Sequence, residues 1–272
     1  MSARRFVDFH NHVLAGVDDG ARSEAESRAA VRQLVDAGAT GVIATPHFDA
    51  SLVEQPARFE ARLVALDSAW AACADWSAAE LPDLQIARGV ELKLDVPDPD
   101  CSDERLRLAG GRFVLVEFPA MTVPLGSDLL LRAVIEQGFV PVLAHPERYA
   151  GFDEALRLAR QWKNVGALLQ VNAGSLAGRY GERPRHNTML LLAEGLADYM
   201  CSDYHARGLI ATTQVLADDV DEGSAWDLLV RTNPERLLQG LDPLPVPALA
   251  QPSWWRRMAR VIGITERTTD SA

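Results

Sequence analysis

The sequence predicts an α/β fold in which short apolar strands alternate with amphipathic helices. Seven runs of β-branched and apolar residues recur along the chain, and several lack polar alternation. Such runs are typical of parallel strands that are buried on both faces of a sheet. Regular strand–helix alternation favours one large domain over two small ones, and it fits either an open sheet or a closed barrel.

The predicted elements follow one another in a simple order. The strands are expected at Arg5–Phe9, Gly41–Thr45, Leu84–Gly89, Phe113–Phe118, Val140–Ala144, Ala167–Val171 and Tyr199–Ser202. The helices are expected at Glu24–Ala37, Phe59–Ala74, Ser127–Gln137, Asp153–Trp162, Asn187–Glu194 and Ile210–Val220. The first helix has the clearest ends, because Ser23 can cap its N-terminus and Gly38 can follow its last residue.

The chain changes character near Leu241. Four prolines between Asp242 and Pro252 form a stiff connector that cannot continue a helix. The basic, tryptophan-containing segment Trp254–Ile262 follows, and it fits either a tail packed on the domain or an amphipathic anchor to a membrane surface or a partner. We therefore expect one domain over residues 1–240 and a connector with a tail over residues 241–272.

Composition narrows the class of protein. Lys and Arg number 27 against 38 Asp and Glu, so the net charge of −11 does not attract nucleic acid. The three cysteines have no paired spacing, which argues against a disulfide framework and fits a reducing compartment. No signal-peptide pattern and no apolar stretch of membrane-spanning length is visible. We expect a cytoplasmic protein whose tail could contact the inner face of the membrane.

Histidines and carboxylates concentrate at the carboxyl ends of the predicted strands, where the catalytic groups of α/β barrels converge. His10 and His12 are two residues apart in extended chain, so both side chains can reach one ion. His186 falls outside this pattern, ahead of the helix at Asn187, and we interpret it as structural or adjacent to substrate. The candidate ligands are His10, His12, His47, Glu91, Glu117, His145, Asp203 and His205.

The types of ligand indicate the chemistry. Imidazoles mixed with carboxylates suit Mn, Fe or Zn, and the absence of a thiolate set excludes a structural zinc finger. So many ligands imply two or three divalent ions, which support hydrolysis. Arg148 and Arg207 lie just after His145 and His205, and a pair of guanidinium groups beside metals favours a phosphoester substrate. The alternative is that each arginine forms a surface ion pair.

Other chemistries lack their motifs. The sequence contains no Gly-x-Ser-x-Gly nucleophile elbow and no cysteine followed five residues later by arginine. It also contains no nucleotide-binding loop. A metal-dependent amidohydrolase on a related barrel is a further alternative, with two metals and no use for phosphate-binding arginines.

Eight motifs, in this order, resemble the polymerase-and-histidinol-phosphatase (PHP) superfamily. More closely, they resemble its bacterial protein-tyrosine phosphatases of capsule and exopolysaccharide operons. The motifs are Asp8–His12, Val17–Gly20, Thr45–His47, Gly89–Leu92, Val116–Pro119, His145–Tyr149, Gln170–Ser175 and Ser202–His205.

The resemblance implies a distorted (β/α)7 barrel with a trinuclear centre, for which manganese is the favoured ion. The family's acidic ligand immediately precedes a glycine, here Gly20, which selects Asp19 over Asp18. The first ion would take His10, His12, Glu91 and Asp203; Glu91 would bridge to a second at Glu117 and His145; the third would take Asp19, His47 and His205.

The resemblance also implies roles beyond the ligands. Arg148 would hold phosphate, and Asp203 and His205 would contribute to catalysis. Close relatives place a second arginine several residues after the Asp-x-His motif, whereas Arg207 is only two residues beyond His205, so Arg207 departs from the pattern.

We expect hydrolysis of phosphotyrosine on a protein, namely the tail of a bacterial tyrosine kinase that controls capsule or exopolysaccharide synthesis. The alternatives are a phosphatase for a small molecule such as histidinol phosphate, and a non-enzymatic, metal-stabilised regulatory module that docks through its tail.

Overall fold

The computed structural model describes residues 5–152, 154–212 and 221–249, which form a mixed α/β fold. The strands are β1 (Phe6–Asp8), β2 (Ala39–Ala44), β3 (His47–Asp49), β4 (Gln85–Arg88), β5 (Glu91–Lys93), β6 (Phe113–Glu117), β7 (Val140–Ala144), β8 (Leu168–Asn172) and β9 (Tyr199–Cys201). The helices before β9 are α1 (Glu24–Asp36), α2 (Pro56–Glu80), α3 (Ser127–Glu136), α4 (Ala155–Asn164), α5 (Ala173–Leu176) and α6 (Glu182–Ala193). After β9, helical turns cover Ala225–Asp227, Leu228–Thr232 and Asn233–Leu238.

All strand pairs of the two sheets are parallel. One sheet has the order β1-β2-β4 and the other β3-β5-β6-β7-β8-β9. Only Thr45 and Pro46 separate β2 from β3, so the two strands form one extended segment with a break. Gly89 and Val90 separate β4 from β5 in the same way. Pro46 has no N–H to donate to a ladder, which explains the first break. The seven predicted strands are therefore confirmed in position, and two of them continue beyond a break.

Backbone hydrogen bonds also join the first and last strands beyond the sheets. Asp203 N donates to His10 O and His12 N donates to Tyr204 O, both at 2.9 Å. Asn11 and Tyr204 form a parallel bridge at the same place. The end of β1 is therefore held directly beside the segment that follows β9.

The period-two alternation of β6 connects the core with the carboxyl ends of the strands. Phe113 and Leu115 belong to an inner apolar cluster, while Val114 and Val116 pack in the larger cluster that includes the helices. Glu117 shares the inner face with Phe113 and Leu115 because side chains two residues apart point the same way. The inner cluster therefore lies beneath the polar groups at the strand ends.

Trp162 of α4 is the largest fully buried side chain among the described residues. Its contacts hold α4 against the outer face of the sheet. Its ring lies 5.6 Å from that of Phe118 and 5.3 Å from that of Phe152, and its Nε1 donates to Ser127 Oγ at 2.9 Å. The buried indole thus has the hydrogen-bond partner that it needs.

Among the helix predictions, one is confirmed at its N-terminus and one needs a corrected starting residue. The prediction for α1 holds at its N-terminus, where Ser23 accepts a hydrogen bond from Glu26 N. The helix predicted from Asn187 begins at Glu182 instead, so His186 lies inside α6 and not ahead of it. Most of the predicted helix Ile210–Val220 lies outside the described residues, as do Asp153 and the segment Trp254–Ile262.

Residues 241–249 contain neither helix nor strand, and side-chain and backbone hydrogen bonds attach them to the domain. Asn233 both donates to Leu244 O at 3.0 Å and accepts from Leu244 N at 2.8 Å. Leu249 N donates to Leu192 O at 3.0 Å. In the described parts of the chain no helix combines the length and the apolar character needed to cross a bilayer.

Candidate metal centre

The candidate ligands converge at the carboxyl ends of strands and at the breaks that separate β2 from β3 and β4 from β5. His47 is the first residue of β3, Glu91 the first of β5 and Glu117 the last of β6. The structure brings all nine candidates into four overlapping groups, in each of which potential ligand atoms lie within 4.8 Å of one another. The groups are His12–Asp19–His47–His205, His10–Glu91–His145, His10–His12–Asp203 and His47–Glu91–Glu117.

Glu91 lies at the centre of the cluster and is fully buried. Its Oε1 is 2.8 Å from His145 Nε2 and 3.2 Å from His10 Nε2. Its Oε2 is 3.0 Å from His47 Nδ1 and 3.5 Å from His12 Nε2. The two oxygens therefore face different pairs of imidazoles, His10 with His145 on one side and His12 with His47 on the other.

Asp19 and Asp203 stand on opposite sides of the histidines. Asp203 Oδ1 lies 3.5 Å from His10 Nε2 and 3.4 Å from His12 Nε2, and this carboxylate is buried. Asp19 Oδ1 lies 3.5 Å from His47 Nε2 and 3.3 Å from His205 Nε2, and its side chain is 65% exposed. The group that contains Asp19 therefore opens to solvent, while the group that contains Asp203 is enclosed.

Hydrogen bonds at Nδ1, the ring nitrogen that points away from the cluster, fix the orientation of His10 and His12. His10 Nδ1 lies 2.7 Å from Gln170 Oε1, and His12 Nδ1 lies 2.7 Å from Asp18 Oδ2. An acceptor at Nδ1 places the proton there and leaves the Nε2 lone pair directed into the cluster. Asp18 is thereby an orienting residue, while Asp19 is the aspartate that faces the other candidate ligands.

A chain of amide side chains extends this support to Asp203. Gln170 Nε2 donates to Asn172 Oδ1 at 2.9 Å, and Asn172 Nδ2 donates to Asp203 Oδ2 at 2.8 Å. Gln170 and Asn172 belong to a motif to which the sequence assigned no individual role. Their spacing of two residues on one strand was the signal that both side chains point to the same face.

Two candidate ligands have a left-handed backbone, which is uncommon for residues other than glycine. His145, directly after β7, has φ = 36°, and Asp203, two residues after β9, has φ = 50°. Strain of this kind persists where the surrounding structure fixes it, and it concentrates at functional sites. Here His145 N donates to Gln170 O at 2.8 Å, which holds the turn in place.

The cluster couples imidazoles tightly to carboxylates. Burial raises the pKa of Glu91, but His10 and the other imidazoles lower it well below its usual value. Burial lowers the pKa of His47, yet Glu117 and Glu91 raise it to about 10. The carboxylates therefore stay ionised and attract positive charge, which either protons or metal ions supply.

Several buried ligand atoms form no hydrogen bond among the described residues, although each lies within 3.5 Å of an atom of another candidate ligand. They are His10 Nε2, His12 Nε2, His47 Nδ1 and Glu91 Oε2. Orphaned polar atoms of this kind are rare in native proteins, because an unsatisfied buried group costs free energy. Nitrogen and carboxylate oxygen donors without thiolate suit Mn, Fe or Zn, so the residues fit a site for divalent ions.

A cavity of ≈ 790 Å³ opens beside the cluster. Arg148 lines it, and its Nη1 donates to Asp203 Oδ2 at 2.6 Å. The cavity is also lined by three cationic side chains that were not predicted from the sequence, Arg58, Arg62 and Lys93. Spacing was the available signal, since Arg58 and Arg62 are four residues apart on α2 and Lys93 shares a strand face with Glu91.

Arg207 has a different position from Arg148. It is absent from the described residues that line the cavity, and its Nε donates to His205 O at 3.1 Å while its Nη2 donates to Asp19 O. Its guanidinium therefore ties together the backbone of two candidate ligands. His186 does not line the cavity either.

Parallel strands that end in a buried imidazole–carboxylate cluster define the class as an α/β metalloprotein. The family model for capsular polysaccharide synthesis, CpsB/CapC, matches residues 6–239. Since the match covers most of the sequence, the chain belongs to this family.

Individual relatives agree with that assignment. The chain is 28% identical to tyrosine-protein phosphatase YwqE of Bacillus subtilis over 246 residues, which cover 86% of this chain and 91% of YwqE. It is 28% identical to the CapC protein of Staphylococcus aureus over 202 residues, covering 74% and 77% of the two chains. It is 26% identical to tyrosine-protein phosphatase CpsB of Streptococcus pneumoniae over 212 residues, covering 73% and 82%.

A solved structure is also similar. It comes from crystal structures of YwqE from Bacillus subtilis and CpsB from Streptococcus pneumoniae, described as metal-dependent tyrosine phosphatases. The TM-score is 0.71 at 25% sequence identity, and the match covers 90% of this chain and 100% of the other.

Proposed function

We propose that the protein is a metal-dependent protein-tyrosine phosphatase. The observation that carries the proposal is the convergence of buried ligand atoms of His10, His12, His47 and Glu91, which form no hydrogen bonds among the described residues, beside the cavity that Arg148 lines. The named activities of YwqE and CpsB support a phosphotyrosine substrate. The expected substrate protein is the tail of a bacterial tyrosine kinase that controls capsule or exopolysaccharide synthesis.

We propose two or three divalent ions, with manganese favoured and iron or zinc as alternatives. His10, His12, Glu91 and Asp203 would hold the first ion, and Glu91, Glu117 and His145 the second. Asp19, His47 and His205 would hold the third. When bound, such ions supply Lewis-acid activation of water and of the phosphoryl oxygens.

The protein's own groups would bind and orient the phosphoryl group. Arg148 uses one nitrogen for Asp203 at 2.6 Å, which leaves other N–H groups of its planar fork for phosphate oxygens. Val17, Leu52 and Met121 provide an apolar wall in the same cavity against which an aromatic ring could pack. Together they would admit a phosphorylated aromatic side chain and align it with the cluster.

His205 is better suited to hold an ion than to donate a proton. Burial lowers its pKa, so the ring is neutral at neutral pH. Its Nδ1 lies 3.0 Å from Asp203 O, which makes Nδ1 the protonated nitrogen and directs the Nε2 lone pair towards Asp19. A ring bound on both sides has no free proton for a leaving tyrosinate.

We also infer that the strands close into a distorted (β/α)7 barrel spanning residues 1–240. The support is the parallel order of the seven extended segments, together with the backbone hydrogen bonds between His10 and Asp203 and between His12 and Tyr204. Residues 241–272 would form the connector and a tail that contacts the membrane surface or a partner. A cytoplasmic location is consistent with three free, buried cysteines.

The test compares substrates and metals on purified protein. Chelation should abolish hydrolysis of a phosphotyrosine peptide, and Mn²⁺ should restore it in proportion to the ions bound. Replacing Asp203 and His205 together should abolish turnover. Faster turnover of histidinol phosphate than of the peptide would favour the small-molecule alternative, and no turnover of any phosphoester by metal-loaded protein would favour the regulatory one.

The arginine is tested separately. Arg148→Met should lower kcat/KM on the peptide by about 100- to 1,000-fold, the usual effect of removing one donor that stabilises developing charge. Arg160→Met is the matched control, because Arg160 is exposed and pairs with Glu194 away from the cavity. Equal activity of the two variants would contradict the role of Arg148.

A further inference from the structure

Arg148 lies over the ring of an aromatic residue that does not itself line the cavity. Its guanidinium carbon is 4.0 Å from the ring centroid of Tyr180. Tyr180 follows α5 and is not among the described residues that line the cavity. We therefore expect an effect of Tyr180 on a substrate in that cavity to pass through Arg148.

The local sequence places the Tyr180 ring. Arg179 and Tyr180 stand between two glycines with left-handed backbone, Gly178 (φ = 84°) and Gly181 (φ = 91°). Tyr180 also packs on Gly174, where an added Cβ would lie 3.0 Å from its Cε2. Glycine at position 174 therefore leaves room for the ring.

The same segment holds the backbone of Arg148. Arg183, in the first turn of α6, donates from Nη1 to Tyr149 O at 2.7 Å and from Nη2 to Arg148 O at 3.3 Å. The chain from Gly178 to Arg183 thus contacts both ends of Arg148, its carbonyl and its guanidinium. This double attachment is what a device for orienting one side chain requires.

Stacking and hydrogen bonding use different parts of the guanidinium. The guanidinium carbon of Arg148 lies over the Tyr180 ring, whereas Asp203 accepts a hydrogen bond from Arg148 Nη1 at 2.6 Å. Face stacking leaves the remaining edge N–H groups free for planar, bidentate bonds to an anion. Arg148 is only 23% exposed, and a cation–π contact strengthens when it is shielded from water.

We propose that Tyr180 is a positioning residue that holds the Arg148 guanidinium in the plane needed to bind the phosphoryl group. The proposal rests on the proposed function in so far as Arg148 binds phosphate. The ring face carries the effect, and the hydroxyl is dispensable.

Kinetics of metal-loaded enzyme test the proposal with two variants. Tyr180→Leu keeps an apolar side chain but removes the π face, and it should lower kcat/KM for a phosphotyrosine peptide by about 2- to 30-fold, the range spanned by cation–π contacts. Tyr180→Phe keeps the ring and should restore wild-type kinetics. Equal loss in both variants would overturn the proposal, as would wild-type kinetics in Tyr180→Leu.

A double-variant comparison shows whether the effect passes through Arg148. In the Arg148→Met background, Tyr180→Leu should cause no further loss, because the group that it positions is gone. The same loss in both backgrounds would contradict the proposal. Phe139→Leu is the matched control, since Phe139 stacks on Arg107 at 4.8 Å away from the cavity, and its removal should leave KM and kcat unchanged.

Proton NMR provides a readout that does not depend on activity. A guanidinium over a ring face experiences ring-current shielding, so the Arg148 side-chain signals, assigned by their loss in Arg148→Met, should move downfield in Tyr180→Leu and stay in place in Tyr180→Phe. Unmoved signals in Tyr180→Leu would refute the contact. Moved signals in a protein without phosphatase activity would instead refute the proposed function and leave the contact intact.

Discussion

His12 and Asp18 are joined by a 2.7 Å contact between Nδ1 and Oδ2, which separates the roles of two adjacent aspartates. Asp18 also accepts a hydrogen bond from Gly20 N at 3.0 Å through Oδ1, so both of its carboxylate oxygens have hydrogen-bond partners. Asp19 instead has Oδ1 3.3 Å from His205 Nε2. One aspartate therefore orients a candidate ligand and its neighbour is positioned to be one.

Asparagine at each position should give different metal-binding behaviour. Asp18→Asn should lower metal affinity by about 10- to 100-fold, as loss of a partner behind a ligating histidine usually does, while the number of ions at saturation stays unchanged. Asp19→Asn should reduce the number of ions bound per chain by one. Metal titration followed by elemental analysis measures both quantities, and the reverse pattern would exchange the two assignments.

Gly20 is the next residue with a defined steric role. A Cβ added there would lie 1.9 Å from His12 O and 2.5 Å from His12 Cβ, contacts that real side chains do not make. We expect Gly20→Ala to displace His12, to weaken metal binding and to lower the free energy of unfolding by about 1–3 kcal/mol, as overpacking does.

Gly111→Ala is the control for that substitution. An added Cβ at Gly111 would lie 3.3 Å from Leu108 O, so only a small adjustment is needed. Urea unfolding and metal titration of both variants test the difference. If Gly20→Ala binds metal as tightly as Gly111→Ala does, the packing of the second motif against His12 is not what positions the ligand.

The positions of the ligands were predictable because strand ends are readable in the sequence. A continuous apolar run such as Phe113–Val116 predicts a buried strand, and the alternation of side chains in a strand then places Glu117 on the face of Phe113 and Leu115. Parallel strands then bring their carboxyl ends to one side, so His145 and Glu91 come within 2.8 Å despite their separation along the chain. The eight candidate ligands predicted from strand ends therefore converge, and Asp19, which only the family resemblance selected, joins them. Their roles as ligands remain predictions.

The contacts of Tyr180 and Arg62 could not be predicted from the sequence in the same way. Tyr180 reaches Arg148 across a turn between two glycines, and Arg62 reaches the cavity from a helix on the other side. The spacing of Arg58 and Arg62 puts both on one face of α2, but it does not encode where that helix is placed, and the contact of Tyr180 depends on loop geometry. His186 was misplaced for a related reason: the ends of a helix depend on caps, and α6 begins after Gly181 without a side-chain cap.

Arg207 should matter less than Arg148. It donates to the backbone carbonyls of His205 and Asp19 and does not line the cavity among the described residues. We expect Arg207→Ala to lower kcat/KM by less than about tenfold, because a surface contact to neutral carbonyls contributes roughly 1 kcal/mol. Steady-state kinetics at saturating metal measure this. A loss as large as that of Arg148→Met would mean that Arg207 binds substrate directly.

The last prediction concerns Asp8, a buried carboxyl behind the first motif. Burial raises its pKa from 3.8 to about 6, although hydrogen bonds from Ser202 and from the backbone of His10 oppose the rise. A carboxyl that ionises less readily in the folded protein stabilises the fold while it is protonated. That stability is fully present below the unfolded pKa near 3.8 and is lost as the pH rises through about 6.

Asp8→Asn keeps the shape of the side chain but cannot ionise, so the variant should not lose this stability. A gap of about two pH units corresponds to about 3 kcal/mol, so the free energy of unfolding of the variant relative to wild type should rise by up to that amount between pH 4 and pH 7. Urea unfolding in the presence of chelator measures it, with exposed Asp83→Asn as the control for loss of a surface charge. A difference that stays constant over this range would mean that Asp8 ionises in the fold as readily as in the unfolded chain, and the compensating hydrogen bonds from Ser202 would then have to offset the whole cost of burial.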